Sequence, residues 1–179
     1  MNAIKIKTFL ETAKVWAKQS HCVRLKVGAA ILNKKTGRLL SIGYNGTVSG
    51  TVNCDDLFDY NNLMIHSDLQ EYVSTGHVLA DGWNQVDEVI FKQLHYAFSE
   101  KYEVHAEQNA IYNLLKTNSA YDPENLMLVC TTEPCCQCAK AIAALGIKYV
   151  IFEHKYDRNT ESVIKFFDMM GVESWQFSK

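Results

Sequence analysis

The second half of the chain alternates between helical and extended patterns of apolar residues. Apolar positions three and four apart predict helices, and short continuous apolar runs predict buried strands. In chain order, the predicted elements are helix 105–116, strand 126–131, helix 135–145, strand 148–152, helix 160–170 and strand 172–175. Because helices and strands alternate here, we expect parallel strands covered by helices, as in an α/β fold.

The first part of the chain predicts one helix and one hairpin. Residues 4–17 carry apolar side chains at helical spacing, which predicts an amphipathic helix. Two apolar, partly β-branched runs at 27–32 and 39–44 flank a turn that contains Gly37. This arrangement predicts two antiparallel strands.

A less regular segment separates these elements from the second half. Residues 46–100 contain scattered glycine, asparagine and aspartate without a long period, and short helices are predicted only near 56–63 and 88–98. Loops of this length are uncommon in a compact domain unless they are functional or tied down. We therefore expect a single domain over 1–179 with a loop-rich insertion at about 47–103.

The composition is that of an ordinary globular domain. The 179 residues are 47% hydrophobic and 21% charged with a formal net charge of −2, so we expect no extended binding to nucleic acid. No run of about 18 apolar residues predicts a membrane span, and Lys5, Lys7 and Glu11 interrupt any apolar leader. We expect a cytoplasmic protein, in which clustered cysteines more often bind metal or react than form disulfides; the chain has six cysteines.

Two short stretches carry the residues with the clearest chemistry. Cys135 and Cys138 have CxxC spacing in the first turn of a predicted helix, which directs both thiols to one place, and His105 opens another helix. One imidazole and two thiolates suit Zn²⁺, and three protein ligands leave a position open for water, as in catalytic sites. Glu107 does not share a helix face with His105. We expect it to reach the pocket as a proton carrier rather than as a fourth ligand.

Each stretch alone has a simpler explanation. A CxxC pair is commonly half of a structural zinc site or a redox pair, and a histidine and glutamate two residues apart on a helix are commonly solvated. Pro134 before the first cysteine, together with His105, disfavours a thioredoxin-like motif. Found together at predicted strand–helix junctions, the two stretches favour the zinc site.

These motifs resemble those of the zinc-dependent cytidine and deoxycytidylate deaminase superfamily, and most closely the deoxycytidylate (dCMP) deaminases. The matching segments, in the order of the family, are 26–29 (KVGA), 43–46 (GYNG), 105–111 (HAEQNAI), 132–142 (TEPCCQCAKAI) and Tyr156-Asp157. The resemblance implies a three-layer α/β/α fold with a central mixed five-stranded sheet. It also implies hydrolytic deamination of dCMP to dUMP and ammonia by zinc-activated hydroxide, which would supply dUMP for thymidylate synthesis.

The resemblance also assigns roles to single residues. The catalytic zinc is held by His105, Cys135 and Cys138. Glu107 moves protons to N3 of the cytosine ring and to the leaving amine.

Four further residues are candidates for substrate binding. Asn45 resembles the family residue that orients the sugar, and Tyr156 resembles a contact to the phosphate or sugar. The alternatives are a turn asparagine and a packing tyrosine. Arg24 and Lys26 precede a predicted strand, and a nucleotide phosphate needs such cations. The alternative there is a pair of surface cations.

A second metal is implied for the insertion, because some viral and bacterial members of the family carry a structural zinc there. The matching positions are Cys22, Cys54, His95 and Glu103. A metal that closes a long loop would order a segment with a small core. The alternative is two buried free cysteines and a surface histidine. We expect Cys130 in the core, and we do not count Cys136 as a ligand.

The resemblance finally concerns regulation and assembly. It implies activation by dCTP and inhibition by dTTP, with Mg²⁺ accompanying the effector, and a homo-oligomer, specifically a hexamer. A viral source would place the protein in the host cytoplasm.

Two alternatives stay open: a deaminase of dCTP, CMP or cytidine, and a zinc-binding regulatory module without catalysis. Glu107 disfavours the second alternative, because a structural metal site has no use for that carboxylate.

Overall fold

The computed structural model describes residues 2–76, 79–117, 121–156 and 162–178. In these ranges the helices are α1 (Ala3–Ala17), α2 (Cys54–Leu57), α3 (Glu88–Tyr102), α4 (Ala106–Lys116), α5 (Cys136–Leu145) and α6 (Ser162–Met169). The strands are β1 (Gly28–Asn33), β2 (Arg38–Tyr44), β3 (Gly46–Thr47), β4 (Phe58–Asp59), β5 (Met64–His66), β6 (Trp83–Gln85), β7 (Glu103–Val104), β8 (Leu126–Thr132), β9 (Tyr149–His154) and β10 (Glu173–Gln176).

The chain divides into two compact units. The first contains Met1–Ser20, Val27–Asn45 and His105–Lys179, and the second contains His21–Lys26 and Gly46–Val104. The predicted insertion at 47–103 falls within the second unit. Among the helices that the structure describes, none is both long and apolar enough to cross a membrane.

The first unit is built on a mixed five-stranded sheet. Its strand order is β10-β9-β8-β1-β2, in which β8, β9 and β10 are parallel and β1 runs antiparallel to both β2 and β8. The predicted α/β fold with a mixed five-stranded sheet is thereby confirmed. The early hairpin and the parallel strands of the second half are confirmed with it.

The strands β1 and β8 of this sheet are buried on both faces, and successive side chains of a strand point to opposite sides. On β1, Ala29 and Ile31 belong to a buried cluster that also contains residues of α4, α5 and α6, whereas Ala30 and Leu32 belong to a cluster with residues of α1. All seven residues of β8 are buried. Strands covered on both faces need apolar side chains at every position, which explains the continuous apolar runs in the sequence. Each fully buried aliphatic side chain stabilises the fold by about 1.5–3 kcal/mol.

The second unit has a separate core, which is rich in aromatic residues. Strands β4, β5 and β6 form a small antiparallel sheet, and α3 supplies much of the apolar packing. Phe58 lies 5.5 Å from Phe91 and 5.6 Å from Phe98 between ring centroids, and all three rings are at most 1% exposed. This segment therefore buries a core of its own, although its sequence shows no clear period.

One local prediction was wrong and two were partly right. The helix predicted near 56–63 ends at Leu57, because Phe58 takes up an extended conformation, pairs with Ile65 and buries its ring. The helix predicted at 88–98 is present as α3 and continues to Tyr102. The helix predicted at 160–170 is present from Ser162, and its predicted start lies outside the described residues.

Candidate functional site

Two helix starts bring three of the predicted ligands together. His105 directly precedes α4, and Cys135 directly precedes α5. The Sγ atoms of Cys135 and Cys138 each lie 3.4 Å from Nδ1 of His105. All three ligand atoms lie within 4.8 Å of one another. We call this group the three-residue cluster.

The spacing of these atoms suits a zinc ion. Metal–sulfur bonds of about 2.3 Å and metal–nitrogen bonds of about 2.0 Å place tetrahedral ligands about 3.5 Å apart. The two sulfur–nitrogen distances of 3.4 Å fit this value. Among the described residues, no further histidine, cysteine or carboxylate joins the cluster as a fourth ligand. The cluster therefore supplies one ligand fewer than a closed tetrahedral site needs.

The two thiols of this cluster shift each other's pKa in opposite directions. A hydrogen bond from Cys138 lowers the pKa of the Cys135 thiol to about 4, and a hydrogen bond with His105 acts in the same direction. The hydrogen bond with Cys135, followed by burial, raises the pKa of Cys138. A divalent cation would stabilise both thiolates, because its charge offsets their repulsion.

Glu107 lies beside this cluster and is shielded from solvent. Its side chain is 4% exposed, and burial is the main cause of its raised pKa. A hydrogen bond with Cys138 and the charge of His105 act against that rise, which places the carboxyl group next to the cluster. A carboxyl group with a raised pKa holds a proton more readily than an ordinary one, which suits it to proton transfer.

Asn45 connects the end of β2 to the start of β1. Its backbone N–H donates to the carbonyl of Val27 at 3.2 Å, and its Oδ1 accepts from the N–H of Val27 at 2.7 Å. The residue is 8% exposed. The structure therefore holds Asn45 firmly at the end of an edge strand, and its contact with a nucleotide stays a prediction.

The backbone of Tyr156 is held by Glu133, which lies two residues before Cys135. Glu133, which is 5% exposed, accepts a hydrogen bond from the backbone N–H of Tyr156 at 3.3 Å. It also forms an ion pair with Lys155 at 3.2 Å. Tyr156 itself is half-buried, and its neighbour Asp157 lies outside the described residues. The substrate contact of Tyr156 stays a prediction.

The two candidate phosphate-binding cations belong to the second unit. Arg24 is half-buried and Lys26 is exposed. The pKa of Glu88 is lowered mainly by a hydrogen bond with Lys92 and to a smaller extent by the charge of Arg24. Arg24 thus has an acidic neighbour, and the role of both cations in binding phosphate stays a prediction.

A second group of possible metal ligands lies within the second unit. The ligand atoms of Cys22, Cys54, His95 and Glu103 all lie within 4.8 Å of one another. Nε2 of His95 is 3.4 Å from Sγ of Cys54 and 3.7 Å from Sγ of Cys22. We call this group the four-residue cluster. The sequence spreads these residues over more than 80 positions, and the fold brings all four together.

Both cysteines and the carboxyl group of the four-residue cluster have shifted pKa values. A hydrogen bond from Cys54 lowers the pKa of Cys22 to about 3, and the same bond raises the pKa of Cys54. Burial, followed by the charge of Cys22, raises the pKa of Glu103 to about 7. Oε1 of Glu103 is buried and has no hydrogen-bond partner among the described residues. A cation would satisfy this oxygen and both sulfurs.

The remaining two cysteines differ in exposure, and the expected place of Cys130 in the core is confirmed. Cys130 is fully buried in the core of the first unit, where burial raises its pKa. Cys136 is exposed and belongs to neither cluster.

Comparison with known proteins agrees with this geometry. The model of the "cytidine and deoxycytidylate deaminase zinc-binding region" matches residues 3–154. The chain belongs to this family. As a member of it, the protein is a zinc-type deaminase, and the three-residue cluster is a candidate for the zinc-binding site of this family.

Several relatives of this deaminase match over most of its length. The deoxycytidylate deaminase of Enterobacteria phage T2 is 31% identical over 180 residues, which span 98% of this chain and 94% of the relative. The human deoxycytidylate deaminase is 30% identical over 167 residues, which span 92% of this chain and 74% of the relative. The crystal structure of the dCMP deaminase of cyanophage S-TIM5 in complex with dCMP and dUMP has 29% identity and a TM-score of 0.65 over 99% of both chains.

Two residues with clear structural roles near the site were missed. Glu133 and Asn109 stand inside the motifs at 132–142 and 105–111, and neither was predicted to have a role. Glu133 holds the backbone of Tyr156, and Nδ2 of Asn109 donates to the carbonyl of Tyr44 at 2.8 Å. Both bind backbone atoms, so no pattern of side chains along the sequence reveals their partners. For Glu133, one signal in the sequence could have indicated a role. It is a charged residue between a buried strand and a proline.

Proposed function

We propose that the protein deaminates dCMP to dUMP and ammonia. One observation carries the proposal: an imidazole and two thiols converge within 4.8 Å beside a buried carboxyl group that hydrogen-bonds one of those thiols. The similarity to dCMP deaminases over nearly the whole chain supports the choice of substrate. In this proposal His105, Cys135 and Cys138 hold the zinc ion.

Glu107 moves the protons of the reaction. When bound, zinc supplies Lewis-acid activation of water for attack at C4 of the cytosine ring. The carboxylate of Glu107 takes a proton from the attacking water and delivers it to N3. It then takes the proton of the new hydroxyl group at C4 and transfers it to the amine, so that the C4–N bond breaks, ammonia leaves and C4 becomes the carbonyl carbon of uracil. The raised pKa of this buried group favours such proton uptake.

The remaining site residues bind and orient the nucleotide. Asn45 hydrogen-bonds the sugar, Tyr156 contacts the sugar or the phosphate, and Arg24 and Lys26 neutralise the phosphate charge. The support differs among them. Asn45 and Tyr156 lie in motifs shared with the family and are held by Val27 and by Glu133. The two cations have only the appropriate charge and positions four and two residues before β1.

A substrate panel tests the proposal. The zinc-loaded protein is mixed with dCMP, CMP, dCTP or cytidine, and the loss of absorbance on conversion of the cytosine ring to uracil is followed. We expect the highest kcat/KM for dCMP. Glu107→Gln, which keeps the shape of the side chain and loses its acid–base function, is the matched control. A higher kcat/KM for another nucleotide would reassign the substrate, and no turnover of any of them would favour a zinc-binding regulatory module.

The four-residue cluster is proposed as a second, structural zinc site. Two sulfurs, one imidazole and one carboxylate complete a tetrahedral set, which is the arrangement of closed sites. The unpartnered oxygen of Glu103 supports this assignment. Metal analysis of the purified protein should give two zinc ions per chain. A stable value of one in protein that retains activity would remove the second site.

Regulation and assembly are proposed from the family resemblance. The protein would be a homo-oligomer, a hexamer, that dCTP activates and dTTP inhibits, with Mg²⁺ bound to the effector phosphates. Its product would feed thymidylate synthesis in the cytoplasm, or in the host cytoplasm if the source is viral. The mass in solution and the rate at low dCMP, measured with and without dCTP, dTTP and Mg²⁺, test these points. A monomer whose rate ignores both effectors would refute them.

A further inference from the structure

Two asparagines of α4 hold the edge strand of the sheet. Strand β2 lies at one end of the strand order, so alternate backbone carbonyls on its outer edge need partners other than a strand. Nδ2 of Asn109 donates to the carbonyl of Tyr44 at 2.8 Å, and Nδ2 of Asn113 donates to the carbonyl of Ile42 at 2.9 Å.

The spacing of these two bonds is matched by the geometry of the two elements. Four residues of an α-helix rise about 6 Å, and two residues of an antiparallel strand span about 6.8 Å. Asn109 and Asn113 are four apart on the helix, and their partners Ile42 and Tyr44 are two apart on the strand. The helix therefore runs alongside the strand in one fixed register.

Close packing leaves this register little freedom. A Cβ atom at Gly43 would lie 2.4 Å from the carbonyl oxygen of Ala106 and 2.4 Å from the backbone nitrogen of Ala110. The hydroxyl group of Ser41 donates to the carbonyl of Ala110 at 2.8 Å. Backbone thus meets backbone between β2 and the first turns of α4, the helix that begins after His105.

The bond from Asn109 differs from the others in what it fixes. The carbonyl of Tyr44 and the N–H of Asn45 belong to one planar peptide unit. The side chain of Asn109 donates to the Tyr44 oxygen of this unit, and the Asn45 N–H of the same unit donates to the carbonyl of Val27 at 3.2 Å. The peptide that leads into Asn45 is therefore held at both ends. Asn113 holds a peptide two residues further from Asn45.

We propose that Asn109 is a positioning residue that sets the orientation of Asn45, and hence of the nucleotide sugar, relative to Glu107 on the same helix. The inference rests on the proposed role of Asn45 in nucleotide binding. Because a sugar contact is made in both the ground state and the transition state, its loss raises KM and leaves kcat nearly unchanged.

Single variants separate positioning from stability. We expect Asn109→Ala to raise KM for dCMP about tenfold, the effect of one lost hydrogen bond, with kcat within about threefold of wild type. Asn113→Ala removes the same chemical group from the same helix, and Ser41→Ala removes another β2–α4 hydrogen bond. Both controls should lower the melting temperature and leave KM within about twofold of wild type. Equal increases of KM in Asn109→Ala and Ser41→Ala would overturn the proposal.

A double variant tests whether Asn109 acts through Asn45. Asn45→Asp keeps the oxygen that accepts from Val27 and loses the amide hydrogens. If the two residues act in series, Asn109→Ala adds little to KM in the Asn45→Asp background. Fold-changes that multiply in the double variant would show that Asn109 acts by another route.

Hydrogen exchange of the Asn45 amide decides the question without catalysis. We expect this amide to exchange about tenfold faster in Asn109→Ala than in Asn113→Ala, because one end of its peptide unit is released. Equal rates would overturn the proposal. A wild-type protein that does not deaminate dCMP would refute the proposed function, and the exchange rates would then judge the positioning role alone. The same measurement decides the outcome if Asn45→Asp does not fold.

Discussion

The two clusters of sulfur and nitrogen ligands differ in their number of ligands and in the residues that surround them. The three-residue cluster offers two sulfurs and one nitrogen at the starts of α4 and α5, next to the buried carboxyl group of Glu107. The four-residue cluster offers two sulfurs, one nitrogen and a carboxylate among buried aromatic rings. Three ligands leave room for a reacting molecule, and four ligands do not. The difference teaches that the count of ligands and the placement of one carboxyl group separate a chemical role from a structural one.

Replacing the carboxyl group beside the three-residue cluster should have the largest effect. We expect Glu107→Gln to lower kcat by about 10⁴-fold while zinc content stays unchanged, because general acid–base catalysis is lost and no ligand is removed. Steady-state rates and metal analysis on the same sample measure both quantities. The control is Glu103→Gln in the four-residue cluster, which should keep kcat within about threefold of wild type. Similar losses of kcat in the two variants would erase the distinction between the clusters.

Removing one sulfur from each cluster should affect different properties. Cys138→Ser should abolish measurable turnover and lower the zinc content by one per chain, since the three-residue cluster has no spare ligand. Cys54→Ser should lower the melting temperature by about 10 °C, which corresponds to roughly 3 kcal/mol for a chain of this size. Its kcat should change much less than its stability. Thermal unfolding, metal analysis and rates of both variants test this contrast, and a Cys54→Ser protein with unchanged stability and zinc content would count against the second site.

The two clusters should release zinc at different times during incubation with a chelator. The four-residue cluster is more deeply buried, whereas Cys135 is only half-buried. During incubation with a chelator, we expect activity to disappear with the first zinc ion and the melting temperature to fall with the second. Both properties falling together with a single released ion would contradict this order.

The smallest effect is expected at the one exposed cysteine. Cys136 lies between the two sulfurs of the three-residue cluster in sequence and belongs to neither cluster in space. Cys136→Ser should therefore change kcat/KM by less than about twofold and leave the zinc content unchanged. The free energy of unfolding should change by less than about 0.5 kcal/mol. A loss of zinc in this variant would show that the cysteine is needed at the site.

The sequence was sufficient to predict features that depend on local spacing. The alternation of helices and strands predicted the parallel part of the sheet, and the positions of His105, Cys135 and Cys138 at helix starts predicted a cluster. The four-residue cluster came only from the family resemblance. Its members are spread from Cys22 to Glu103, so no periodic pattern connects them.

Features that depend on tertiary contacts were not predicted. The helix expected near 56–63 is interrupted because the ring of Phe58 gains more from burial against Phe91 and Phe98 than its backbone gains from helical bonds. Strands of two or three residues, such as β4 and β5, are too short to show an alternating pattern. Asn109 was missed because its partner is a backbone carbonyl more than 60 residues away.

The contact at Gly43 limits how this deaminase can be altered. Even a methyl group there would collide with the backbone of α4 at Ala106 and Ala110. A directed-evolution library that randomises the nucleotide pocket should therefore recover glycine at 43 almost without exception, while Gly46, which has open space around its Cβ position, accepts other residues. New substrate preferences will therefore have to come from substitutions at other positions of the pocket, with Gly43 kept.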